Sequence, residues 1–432
     1  MKYFSTNDRT HTVSLQEAVI QGLAPDQGLY MPESIPVLSP SLIQRMREMS
    51  FREIGYEVIA ALFSEDLSVE QIRDLVDHTL QFDAPLVQIE EHVFSLELFH
   101  GPTLAFKDFG ARFCSKLMSL LLDKQQVKVL VATSGDTGSA VANGFFGVEG
   151  VEVVILYPSG KVSELQEKQF TTLGGNVTAL EVDGVFDDCQ RMVKEAFLDP
   201  ALKGKMLLTS ANSINIARWI PQCLYYFYAV SRLPEGHGKI AFSVPSGNFG
   251  NIAAGMLAER AGLPIEVFVA ATNVNKVVPA YLEGHPFAPK PSIQTISNSM
   301  DVGNPSNFYR LLALYGGDEA MLRDKVKGYF YSDSQTSEAM KAVRKSTGYT
   351  MDPHGAVAYL GLKDFMASQE EPYEGIFLET AHPGKFRDVV EETLDESLDM
   401  PSRLMDFMKG EKKSIPIAND YQAFREFLLQ SV

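Results

Sequence analysis

The sequence predicts an α/β protein in which parallel sheets are covered by helices on both faces. Three observations predict it. Between about residue 127 and residue 271, short runs rich in β-branched residues alternate with helical stretches. Such strand–helix–strand alternation needs crossover connections, and crossovers make a sheet parallel. Several of the runs end in Gly-rich turns that lead straight into a helix. Finally, 432 residues with 45% hydrophobic and 22% charged side chains can bury a large core, and neither disorder nor a collagen-like repeat fits that composition.

Along the chain, residues 1 to about 95 read as mostly helical. SLQEAVIQGL, LIQRMREMSFREIGYEVIAALF and SVEQIRDLVDHTL place apolar residues at helical spacing. Ser14 and Ser68 stand three residues before Glu17 and Gln71, the spacing of a capping box. LVQIE and HVFSLELF follow as short strands. The alternating zone then supplies the strands VKVLVAT, VEVVILY, VTALEV, KMLLTS, KIAFSV and IEVFVAA. Between them lie the helical stretches VSELQEKQFTTLGG, DDCQRMVKEAFLDPAL and INIARWIPQCLYYFYAVSRL. Beyond residue 272 the pattern loosens, with long loops at 284–307. It resumes with EAMKAVRKSTGY, GAVAYLGLKDFMAS and the strand YEGIFLETA.

The net charge of −17 argues against nucleic acid, whose phosphates demand a surplus of Lys and Arg. It leaves room for a small anion in a local positive pocket. Cys114, Cys189 and Cys223 form no disulfide framework, which predicts reduced thiols and a cytoplasmic setting. The opening MKYFSTNDRTHTV has no apolar core of a secretory signal, and CLYYFYAV is too short to span a bilayer. No membrane partner is expected.

In open parallel sheets, ligands bind beyond the carboxyl ends of the strands. Four loops there carry candidates. TSGDTGSAVANG at 133–144 and PSGNFGNIAAG at 245–255 are Gly-rich turns opening helices. Gly permits close backbone approach, and a helix N-terminus favours an anion, phosphate above all. Either loop alone also fits a tight turn with a glycine for packing. In LTSANSINIAR at 208–218, Asn212 and Ser213 stand where N-caps stand, and Arg218 follows about a turn and a half into the helix. A plain capped helix is the alternative. In FHGPTLAFKDFGARF at 99–113, Lys107 sits in an apolar run. Burial there would lower its pKa and make it nucleophilic, as a Schiff-base lysine requires. The alternative is a lysine whose stem packs while its head reaches water. MDPHGAV with His354, and ETAHPGKF with Thr380, His382 and Lys385, are weaker candidates. HExxH, paired CxxC, GxSxG, GxGxxG and P-loop signatures are absent, so no metal is expected.

In combination these stretches resemble the threonine synthases, pyridoxal-phosphate enzymes of fold type II, the tryptophan-synthase-β-like group. The resemblance covers essentially the whole chain. It is carried by SLQEAVIQGLAPDQGLYMP, ELFHGPTLAFKDFG, TSGDTG, ANSIN with Arg218, PSGNFGN, MDPHGAVAY and TAHPGKF in this order. It implies two parallel-sheet domains flanking a cofactor cleft, plus a mainly helical N-terminal domain. The expected borders are 1–95 for the helical domain, 96–236 for a small α/β domain with Lys107 and TSGDTG, and 237–432 for a large α/β domain with PSGNFGN and Thr380.

It also implies the reaction: O-phospho-L-homoserine and water give L-threonine and phosphate, with pyridoxal 5'-phosphate as cofactor. Lys107 would hold the cofactor as a Schiff base and move protons at Cα and Cβ. Gly247, Asn248, Phe249, Gly250 and Asn251 would wrap the cofactor phosphate, and Thr380 would bind the pyridine nitrogen. Ser134, Gly135, Asp136 and Thr137 would hold the substrate. Asn212, Ser213 and Arg218 would bind the departing phosphate. A monomer or homodimer is expected. The rival activities are a serine/threonine dehydratase, whose substrate lacks the phosphate, and a phospholyase-like relative that eliminates without adding water. A silent cofactor-binding homologue is the non-enzyme alternative.

Overall fold

The structure is a computed structural model and describes residues 1–122 and 125–430. Numbered along the chain, its strands are β1 Tyr3–Ser5, β2 Thr12–Val13, β3 Tyr30–Pro32, β4 Leu86–Glu90, β5 Val93–Glu97, β6 Val127–Ala132 and β7 Val151–Pro158. The later ones are β8 Val177–Asp183, β9 Leu207–Ser210, β10 Lys239–Pro245, β11 Val267–Thr272, β12 Val326–Phe330, β13 Tyr373–Glu379 and β14 Ile415–Ala418. They fall into two compact units, each built from separated pieces of chain.

The first unit comprises Met1–Glu33, Lys107–Arg218 and the segment from Met400 onward. Its main sheet has the order β14-β8-β7-β6-β9, and every pairing in it is parallel. The helix Phe186–Leu198 packs on β6 and β7, and the C-terminal helix Tyr421–Gln430 packs in turn on that helix. Leu130, Leu156, Leu180, Met192, Phe424 and Leu428 share this core. A small antiparallel sheet, β2-β1-β3, comes from the first residues of the chain. Its strands are two or three residues long, too short to show a period in the sequence.

The second unit comprises Ser34–Phe106 and Trp219–Asp399. Its sheet runs β12-β11-β10-β13-β5-β4, parallel except for the edge strand β4. The helix Pro353–Ala367 packs across β10, β11 and β13. Val269, Ala271, Val357, Leu362 and Phe377 lie in that core. β11 is buried along its whole length, which explains its unbroken apolar run.

These units differ from the three consecutive blocks the sequence suggested. Strand pairing is the reason: β5 hydrogen-bonds β13, so residues near 93–97 join chain from beyond 370, while β14 joins β8. The capping boxes at Ser14 and Ser68 are present. The long helix read over LIQRMREMSFREIGYEVIAALF is instead broken before Phe51. There Ser50 accepts from the Glu53 N–H while the Glu53 carboxylate accepts from the Ser50 N–H, so a new helix starts.

Candidate active site

In both main sheets the candidate loops follow carboxyl ends of strands. In the first unit, β6 runs into the loop 133–135 and the helix Asp136–Phe145. Thr133 organises this turn, its hydroxyl accepting the N–H groups of Gly135 (3.0 Å) and Gly138 (2.8 Å). Gly135 has φ 142°, and a Cβ there would stand 2.6 Å from the Gln166 carboxamide, so both backbone and space require glycine. Gln166 Nε2 donates to Asp136 Oδ1 at 2.9 Å. Ser134 stands exposed at the tip, and Thr137 is half-buried.

Lys107 is the first residue of the helix Lys107–Leu121. Its Nζ lies 3.9 Å from Asp136 Oδ2, and its side chain is 19% exposed. Its surroundings are therefore not purely apolar, as the run TLAF had suggested. Asp136 offers a carboxylate to the ammonium, and Gln166 orients that carboxylate.

The cap of the helix Ile216–Trp219 is Asn215, not Asn212 or Ser213. The Ala217 N–H donates to Asn215 Oδ1 at 2.9 Å, while Asn215 Nδ2 donates to the carbonyls of Ser210 and Val19. The physical reason is that residues 212–214 form a turn before the helix begins. Arg218 thus lies in the first helical turn rather than a turn and a half in. It is 3% exposed and donates to the Ala211 carbonyl. Burial pushes its pKa below the usual range, against the opposing charges of Cys114 and Asp108. A Cβ on Gly110 would meet the Arg218 carbonyl oxygen at 2.6 Å, so the lysine-bearing helix lies directly against this arginine. Asn212 reaches the Ala132 carbonyl, just before the Thr133 turn, at a long 3.5 Å.

In the second unit, β10 leads through Ser246–Phe249 into the helix Gly250–Arg260. Phe249 is left-handed at φ 61°, a conformation that turns the chain abruptly into the helix. Gly247 has no room for a side chain: a Cβ would stand 2.8 Å from Met300 Cα and from the Ser299 carbonyl oxygen. Asn248 Oδ1 accepts from the Ser306 N–H at 2.6 Å. Asn251 gives its carboxamide oxygen to the hydroxyls of Tyr225 and Tyr226, and its buried Nδ2 has no hydrogen-bond partner among the described residues. A donor left over at a helix N-terminus suits an anion, so this loop fits a cofactor phosphate. Thr380 directly follows β13 at 7% exposure, and its carbonyl accepts from the N–H of Phe106, the residue before Lys107.

The candidates therefore divide between the units. Lys107, Ser134–Thr137, Asn212, Ser213 and Arg218 belong to the first, and Gly247–Asn251 and Thr380 to the second. Sequence reasoning missed Thr133, Gln166 and Asn215. Thr133 and Asn215 carried a signal, since each is a side-chain acceptor just ahead of a helix, but Gln166 carried none.

Family profiles match most of the chain. "Pyridoxal-phosphate dependent enzyme" covers residues 79–377, "Threonine synthase N terminus" residues 2–80, and "Threonine synthase, C-terminal" residues 355–428. The threonine synthase of Escherichia coli strain K12 is 43% identical over 99% of both chains. A crystal structure of threonine synthase from Escherichia coli superposes with a TM-score of 0.93 at 42% identity, covering 100% of each chain. The pyridoxal-phosphate-bound threonine synthase from Brucella melitensis gives 0.92 at 33% identity, covering 100% of this chain and 99% of that one.

Proposed function

Since the chain belongs to the threonine synthase family of pyridoxal-phosphate-dependent enzymes, we propose that it converts O-phospho-L-homoserine and water to L-threonine and phosphate. One observation carries the assignment of roles: each unit holds its own candidate anion cradle, Gly247–Asn251 in one and Asn212 with Arg218 in the other. The reaction has two phosphates to bind, one retained and one expelled.

Bound pyridoxal phosphate supplies an electron sink for the pair released at Cα. The chain supplies the rest. Lys107 holds the cofactor covalently and moves protons at Cα and then Cβ. Asp136, 3.9 Å away and oriented by Gln166, fixes where the lysine head rests between those transfers. Gly247, Asn248, Phe249, Gly250 and Asn251 grip the cofactor phosphate with backbone N–H groups and the spare Asn251 amide donor. Thr380 offers the ring nitrogen a hydroxyl, a weaker partner than a carboxylate, which favours elimination and replacement over transamination. Ser134, Gly135, Asp136 and Thr137 seat the substrate. Asn212, Ser213 and Arg218 receive the phosphate that leaves, with the arginine's planar fork matched to its oxygens. No helix among the described residues is long and apolar enough to cross a membrane.

Product analysis with O-phospho-L-homoserine tests the assignment. Phosphate and threonine in equal amounts are expected. Phosphate with 2-oxobutyrate would make the chain a lyase that fails to add water at Cβ. Turnover of threonine or serine with none of the phosphate ester would make it a dehydratase.

A further inference from the structure

MDPHGAV and TAHPGKF are the two stretches that the reaction leaves without a complete account, and the structure joins them through Asp352. This residue is fully buried and caps the helix Pro353–Ala367. Its Oδ1 accepts the backbone N–H groups of His354 and Gly355, and His354 Nδ1 lies 2.9 Å from the same oxygen. A cap needs nothing more. Yet Oδ2 accepts the Ala381 N–H at 3.2 Å, and the Asp352 N–H donates to Glu379 Oε2 at 3.4 Å. Thr380 is thus held through both of its chain neighbours.

The other arm runs through the imidazole. The Ser299 N–H donates to His354 Nε2 at 3.2 Å, so Nε2 is an acceptor and the ring proton sits on Nδ1, facing Asp352. Ser299 and Met300 are the residues whose backbone bounds Gly247. Glu379 completes the cluster. It is fully buried, its Oε1 has no hydrogen-bond partner among the described residues, and its carboxyl fills the space where Gly355 lacks a side chain. Burial, and after it the charge of Asp352, raises the Glu379 pKa well above the ordinary glutamate value.

We propose that Asp352 is a positioning residue that sets both ends of the cofactor site in this unit: the Gly247 loop through His354 and Ser299, and Thr380 through Glu379 and Ala381. The inference rests on the assignment of Gly247–Asn251 and Thr380 to the cofactor.

Asp352→Asn tests it. Asparagine caps helices about as well as aspartate, but it places an N–H₂ group where one of the two oxygens accepts. Equilibrium binding of pyridoxal phosphate to the full-length apoprotein should weaken about tenfold or more, the scale of leaving one buried donor unmade. Combined with Thr380→Ala, the double variant should lose much less than the product of the two single losses, because both act on one residue's position. Binding within twofold of wild type for Asp352→Asn, or multiplicative losses in the double variant, would overturn the proposal. Thr380→Ala binding like wild type would instead overturn the assignment of Thr380. Asp352→Ser keeps a capping oxygen but offers no second one to the Ala381 N–H, so it should weaken binding likewise, and binding within twofold of wild type there would equally overturn the proposal.

Discussion

Replacing Arg218 by alanine should lower kcat/KM for O-phospho-L-homoserine by about a hundredfold while leaving cofactor binding intact. A phosphate monoester carries close to two negative charges near pH 7, and in a chain of net charge −17 it needs a specific cation. Arg218 is 3% exposed, so water screens its charge poorly. A charge-assisted hydrogen bond in such a place is worth about 1.5–3 kcal/mol, and about 1.4 kcal/mol is a factor of ten. The range is therefore roughly 10- to 150-fold, and the growth of charge on the phosphate as the Cγ–O bond breaks moves the effect toward its upper end.

The assay is steady-state release of phosphate and formation of threonine, with the absorbance of bound cofactor recorded on the same preparation. The cofactor content should not change, because the loop assigned to the cofactor phosphate belongs to the other unit. Arg218→Lys separates charge from shape. It keeps the cation but loses the fork, so a loss of about tenfold is expected. The alanine variant also opens a void beside Gly110, which is why its melting temperature is measured in parallel. Normal phosphohomoserine kinetics in Arg218→Ala, or loss of the cofactor with the fold intact, would show that the arginine serves another purpose.

Three further outcomes are expected. Lys107→Ala should abolish turnover without unfolding the chain, and cofactor should remain bound non-covalently; substantial turnover would exclude this lysine from catalysis. Gly247→Ala brings a Cβ to 2.8 Å from two backbone atoms. Overpacking of that kind costs about 1–3 kcal/mol, so titration should show cofactor affinity at least several-fold lower, and unchanged affinity would dissociate this loop from the phosphate. Glu379→Gln should flatten the dependence of stability on pH. Glu379 faces Asp352, Glu97 and Tyr349, and its raised pKa means that the folded state keeps a proton which the unfolded chain sheds above its ordinary value of 4.5. Wild-type stability therefore falls as pH rises above 4.5, and the glutamine variant escapes that loss. Its melting temperature relative to wild type should climb as pH rises above 4.5, and a constant difference would contradict the raised pKa.

The strands of the two main sheets were legible because burial on both faces leaves continuous β-branched runs, as in VKVLVA and VFVAAT. β12 and β14 were not, since VKGYF and IPIA are edge strands, each paired on one side and less buried. The composition of the units was hidden for a different reason. That β5 lies beside β13 is a pairing across about 280 residues, and no local pattern encodes it. The Gly-rich loops announced themselves through Gly135 and Gly247, where backbone geometry or neighbouring atoms exclude a side chain. Gln166, which orients Asp136 from 30 residues away, is an ordinary helix residue in the sequence.

Polar residues at helix starts mark the boundary of what sequence can reveal here. Asn215 and Asp352 both satisfy N–H groups of the helix that follows, and that local task is visible as a residue type at a position. Each has a second polar atom, and its partner is remote: Val19 for Asn215, Ala381 for Asp352. A serine cap has a single oxygen to offer, whereas asparagine and aspartate have a second group in reserve. The identity of the cap thus signals that a tertiary contact is available, while only the fold supplies the other end. Asp352 places its second contact next to Thr380, and Asn215 stands three residues before Arg218, so both caps hold candidate functional side chains as well as helices.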